Sequence, residues 1–185
     1  VKVYRKGLSS QPDNSVVICT IGFFTNLSNL LQSEGDEYSR LNGKDLVAKK
    51  VKHLVSMAGV FPKGKEFNVF CDAASSHIVA EQWPTEIIFS GWEIGNVVLT
   101  GKKLVQMNTE NDPVKEAYAL SFAEGDPDGR MSWDQTAVLV AIKGYEPYYT
   151  AERGTFKVVD EEGNNDWEPN EKGKDLRLIE KMPHK

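Results

Sequence analysis

A chain of 185 residues, 40% apolar and 26% charged, is long enough for one substantial core and too short for two, so a single soluble globular domain is expected. The net charge of −5, with lysines scattered among acids, excludes the basic field that gathers nucleic acid, and no apolar run approaches the roughly 20 residues of a membrane helix. Cys19 and Cys71 stand in strand-like apolar runs and read as buried small hydrophobes, while His53, His77 and His184 share no zinc-ligand spacing.

The chain opens at Val1 without a starter Met or signal peptide, and residues 1–8 have the look of the tail of an amphipathic helix that begins elsewhere. Residues 15–21 are β-branched and apolar on both faces, the pattern of a strand inside a parallel sheet. A tight turn at Gly22 leads into a short apolar helix, with Thr25 and Asn26 placed to cap it. Residues 45–51 form a second helix and 53–57 the next strand, with His53 at a loop or strand edge.

A Gly/Pro-rich loop then delivers Glu66 and Asn68, a carboxylate and an amide two residues apart that suit a polyhydroxylated ligand, because one accepts and the other both donates and accepts. Ordinary solvated loop residues are the bland alternative for this pair. Asp72 is an N-cap for the helix that carries Ile78, Val79 and Trp83 and stops at Pro84. In open α/β sheets such loops follow the carboxyl ends of strands, where ligands bind.

Residues 86–91 are a third buried-type strand, followed by a helical stretch to about Leu104. Asp112-Pro113 starts a helix with Val114, Ala117, Tyr118 and Phe122 on one face. Residues 124–130 form a Gly/Asp/Pro loop, and the apolar length of 132–142 predicts a helix buried through the core. Asp134 near its start either serves chemistry or opposes the helix dipole. From Tyr148 the pattern turns to period-two segments at 155–159 and 176–179, an antiparallel meander expected to cover one edge, with Trp167 as packing.

Three loops, at 22–26, 57–72 and 132–134, together resemble those of the inosine-uridine nucleoside hydrolase family. Ile21-Gly22-Phe23-Phe24-Thr25-Asn26-Leu27 is similar to its G-P-L-T-N-L turn, Met57-Ala58-Gly59 to its M-G-G strand end, and Trp133-Asp134 to its His-Asp or Trp-Asp position. Glu66-Phe67-Asn68-Val69-Phe70-Cys71-Asp72 resembles E-F-N-x-x-x-D, the most specific of the set. Ser90-Gly91-Trp92-Glu93-Ile94 falls at the family's next strand and turn, and the order and spacing agree over nearly the whole chain.

The resemblance implies an α/β fold, a mostly parallel sheet flanked by helices, with residues 1–147 as the C-terminal portion of a nucleoside hydrolase-like domain and 148–185 as a β meander packed on it. It implies hydrolysis of the N-glycosidic bond of ribonucleosides assisted by Ca2+, with the Thr25 carbonyl and the Asp134 carboxylate on the metal. Met57, Glu66 and Asn68 would hold the ribose, and Trp133 would lie against the base and help it leave. Two departures stand out. The family's D-x-D-x-G-x-D-D cluster is absent, since Asp126-Pro127-Asp128-Gly129 lies elsewhere and reads as a turn, and residues 60–65 offer no further Asn for the ribose.

The partners implied are a nucleoside or other pentose-containing ligand and an N-terminal segment of the same protein, as a separate or cleaved chain. Without that segment, a sheet cut at a central strand would expose a wide apolar edge. Homo-oligomerisation is left open, nucleic acid and membrane are not expected as partners, and the cytoplasm is favoured over export. The alternatives are a non-catalytic or altered sugar-binding relative and a purely structural domain.

Overall fold

The computed structural model describes residues 1–181, so His184 lies outside the described residues. Three β-branched segments lie side by side as parallel strands: β1 (Val16–Thr20), β2 (Val51–Met57) and β4 (Glu86–Ser90). α1 (Lys2–Ser9) precedes β1, and the connections carry α2 (Thr25–Leu31), α3 (Gly43–Lys50), β3 (Lys63–Lys65), α4 (Phe67–Phe70) and α5 (Ala73–Gln82). After β4 come α6 (Trp92–Asn96), β5 (Leu99–Thr100), α7 (Lys102–Gln106), α8 (Pro113–Glu124), β6 (Arg130–Met131) and α9 (Trp133–Lys143). The chain closes with β7 (Tyr149–Val158), β8 (Asn164–Pro169) and β9 (Asp175–Glu180).

One seven-stranded sheet runs in the order β1-β2-β4-β9-β7-β8-β3, and β5 and β6 make a separate two-stranded ribbon. The first three neighbour pairs are parallel and the last three antiparallel. The C-terminal strands therefore extend the parallel sheet, with β9 hydrogen-bonded to β4, rather than covering an edge. Alternate residues of β2 and β4 face opposite cores: Leu54, Ile87 and Phe89 join one cluster, Val55 and Ile88 the other. That is why these strands read as apolar on both faces.

Asp72 caps α5 through Ser75 N at 3.1 Å, and Asp112 caps α8 through Val114 N and Lys115 N, each at 3.1 Å. Several expectations are corrected. Neither Thr25 nor Asn26 caps α2, since Phe24 precedes it without a side-chain bond and the Thr25 hydroxyl donates to Asp72 instead. The stretch from Trp92 to Leu104 is two short helices, broken where Leu99–Thr100 pairs with β6 and Gly101 takes φ +95°. In α9 only Thr136, Ala137 and Val140 are buried, and Ile142 is 71% exposed, so the helix lies on the sheet rather than through the core. Cys71 is exposed at the end of α4, Cys19 is half-buried, and both are free. His53 sits inside β2, between Val17 and Glu86, not at an edge.

The most deeply buried cation was not anticipated. Arg5 of α1 is 1% exposed, with its guanidinium donating to Ser33 Oγ (2.9 Å), Ser39 O (2.9 Å) and Leu41 O (2.8 Å) and pairing with Asp36 at 2.7 Å. Its hydrogen bond holds the Asp36 carboxyl below the usual carboxylate range. The opening helix is thereby pinned to the loop before α3, and a charge that would be costly alone is paired with Asp36.

Candidate active site

The register fixes the location of the site. Thr20 lies opposite Ser56 and Met57 opposite Ser90, so three parallel strands end together, at the edge where ligands collect in open α/β sheets. There a cleft of about 320 Å³ is lined by Met57, Glu66, Asn68, Trp133 and Asp134, five of the six residues singled out from the sequence. Thr25, the sixth, is exposed at the start of α2 and is not among the lining residues, although Ile21 at the end of the preceding strand is. Phe67, Trp92 and Arg130 complete the lining.

Glu66 is 4% exposed and Asn68 9%, so neither is a solvated loop residue. Glu66 Oε1 accepts from Asn68 N (2.9 Å), and Oε2 accepts from Val69 N and Gly59 N, both at 3.3 Å. An ionised carboxylate offers about four lone-pair sites, so one remains for a ligand. Burial pushes the Glu66 carboxyl above its ordinary value, the three N–H donors oppose this, and the nearby Asp134 charge adds to the rise. Asn68 Nδ2 donates to the Met57 carbonyl (3.1 Å) and touches Met57 Sδ (3.3 Å), while its Oδ1 accepts nothing among the described residues. The end of β2 thus orients the amide, with its acceptor unused.

Asp134 stands in the first turn of α9, where the dipole favours negative charge, yet desolvation holds its carboxyl above the ordinary value. It accepts no hydrogen bond among the described residues. Its charge also raises the Cys19 thiol, after the larger effect of burial. Two carboxylates whose charges disfavour each other in a partly desolvated cleft create a demand for a cation. Among the described residues, however, no group of three or more His, Cys, Asp or Glu side chains could hold a metal. Calcium takes about six to eight oxygens, so the cleft offers only part of a coordination shell.

Trp133 is fixed from two sides. Its Nε1 donates to the Trp92 carbonyl at 2.9 Å, with the two indole centroids 6.4 Å apart, and the Arg130 guanidinium lies 5.5 Å from its ring centre. Gly95 is the floor beneath it, since a Cβ there would lie 2.2 Å from Trp133 Cα and 2.6 Å from its N. Gly95→Ala is therefore expected to displace Trp133 and Asp134 and to change the tryptophan fluorescence of the protein. Unaltered fluorescence would remove Gly95 from this role.

The sequence motifs place Trp92 only within a turn and Arg130 only at the end of a loop. The available signals were the place of Trp92 just past a parallel strand and that of Arg130 three residues before Trp133. A larger groove of about 660 Å³ between α5 and the end of β7 shares no residue with the cleft and is mostly apolar.

Fold and cleft together define an α/β protein with a cleft at the carboxyl ends of its parallel strands. Residues 1–182 match the family described as inosine-uridine preferring nucleoside hydrolase, and the chain belongs to that family. Among solved structures, a plant nucleoside hydrolase, the PpNRh1 enzyme, is similar in fold, with a TM-score of 0.67 at 16% identity over 95% of this chain. The match covers 60% of that relative, so the chain spans less than two thirds of its length. No curated protein matches the chain.

Proposed function

We propose that this chain carries the ribose- and base-binding part of a hydrolase that cleaves the N-glycosidic bond of ribonucleosides with water, assisted by Ca2+. The carrying observation is the convergence of Met57, Glu66 and Asn68 with Trp133 and Asp134, two segments some 65 residues apart in sequence, on one cleft at the strand ends. Asn68 Oδ1 and the remaining lone pair of Glu66 receive ribose hydroxyls. Met57 buttresses the amide, and Trp133 offers its indole to the base. The carboxylates favour a sugar that gains positive charge as its bond to nitrogen breaks. Asp134 is the cleft residue that would hold the ion, Thr25 lies outside the lining, and the remaining oxygens would come from acids outside these 185 residues, on the same or a separate chain.

A non-catalytic sugar-binding relative is the second reading, favoured by the three backbone N–H groups that already engage Glu66, two of them in capping α4. Assay of the intact protein across purine and pyrimidine nucleosides, with and without chelator, separates the two. Chelator-sensitive release of free base is expected, and no release from any nucleoside would overturn the proposal. Trp133→Ala is expected to slow purine nucleoside turnover by about tenfold, the scale of one aromatic contact, with metal retained. Unaffected turnover would take this role from Trp133.

A further inference from the structure

The cleft is lined by charges of both signs. Glu66 and Asp134 are its acids, and Arg130 is the cation among its lining residues, on the side of the Trp133 indole. The guanidinium is held in place by its own surroundings. Its backbone pairs with Thr100 in the β5–β6 ribbon, and Nη1 is bonded to Asp126 Oδ2 at 3.0 Å. That oxygen also accepts from Ser121 Oγ at 2.9 Å. The remaining N–H groups of Arg130 donate to nothing among the described residues.

We propose that Arg130 is a specificity-determining residue that reads the nucleobase, favouring a base with adjacent carbonyl and ring-nitrogen acceptors over one with an amino group there. This rests on the nucleoside hydrolase reading and deepens it. A guanidinium is donor-only and forked, so it matches the O6/N7 edge of a 6-oxopurine, whereas adenine presents an N–H donor beside N7. The same residue suits the departing group. When the C1′–N bond breaks, both bonding electrons go with the base nitrogen, the water oxygen bonds to C1′, and a water proton ends on the base. Negative charge thus grows at the Arg130 end of the cleft while positive charge grows on the sugar, and the lining charges oppose both.

The test is binding of hypoxanthine and adenine to the intact protein, read by quenching of Trp92 and Trp133 fluorescence, for the parent, Arg130→Gln and Arg130→Lys. The Arg130 side chain is 48% exposed, so these substitutions leave the fold intact. The parent is expected to favour hypoxanthine by roughly 10- to 100-fold, the range of one bidentate contact. Arg130→Gln should erase the preference, and Arg130→Lys, which keeps the charge but loses the fork, should keep only part of it. A parent that binds neither base or both alike, or a preference that survives in Arg130→Gln, overturns the inference. Inosine and adenosine turnover measured alongside keeps the two claims apart. An Arg130-dependent preference in a protein that hydrolyses neither nucleoside upholds the inference and defeats the hydrolase reading, while hydrolysis with a preference indifferent to Arg130 does the reverse.

Discussion

Replacing Asp134 by Ala in the intact protein is expected to abolish calcium binding and to lower nucleoside turnover by on the order of 1000-fold or more, since a bound cation contributes several kcal/mol of charge stabilisation. The fold should hardly notice. Asp134 is exposed and accepts no hydrogen bond among the described residues, so its removal forfeits only a helix-dipole contribution of about 0.3–1 kcal/mol. The charge balance moves the other way, because the Asp134 charge helps to raise the Glu66 carboxyl, which should fall back towards its ordinary value in the variant. Protons compete with the cation for these oxygens. With both carboxyls held above their ordinary values, calcium affinity should weaken with falling pH earlier than for unperturbed acids. Isothermal titration with calcium, paired with thermal unfolding, reads both effects, and unchanged affinity in Asp134→Ala would defeat the assignment.

How much of this was legible in the sequence follows from how far each determinant reaches. The strands β1, β2 and β4 were visible because burial on both faces demands an unbroken apolar run, and Asp72 and Asp112 were visible because a cap acts on its own helix within three residues. The five cleft residues were found through short motifs, since a turn between strand and helix fixes Glu66 and Asn68 locally. What escaped notice is long-range. Nothing near Arg5 announces that Ser33, Asp36, Ser39 and Leu41 will enclose it, and Gly95 acquires its meaning only from Trp133, 38 positions later. The apolar run of α9 misled because apolar content alone does not distinguish a helix buried all round from one lying on a sheet. The meander was read as an edge cover because period-two patterning specifies strands but not their neighbours, and the pairing of β9 with β4 is a tertiary choice.

Asp175→Asn is expected to flatten the pH dependence of stability and to make the protein more stable at neutral and alkaline pH. Asp175 begins β9 and is fully buried. Its Oδ2 accepts from Phe156 N at 3.3 Å, and its Oδ1 has no partner among the described residues. Burial pushes its carboxyl from 3.8 up to about 6, against the pull of Lys174 and two backbone donors. The folded chain therefore binds the proton more tightly than the unfolded chain does, and stability falls as pH rises from about 4 to about 6, then levels off. The loss is about 3 kcal/mol, at roughly 1.4 kcal/mol for each pH unit between the two values. An amide cannot ionise, so the variant avoids this loss, although its N–H group in place of Oδ1 costs about 1 kcal/mol unpartnered. The net gain at pH near 8 is then about 2 kcal/mol, with the order reversed at pH near 4, where the protonated carboxyl of the parent is no longer penalised. Urea unfolding of parent and variant at the two pH values isolates the Asp175 contribution from that of other acids, because those titrate alike in both proteins. Equal pH slopes would show that this carboxyl does not carry the cost its burial implies.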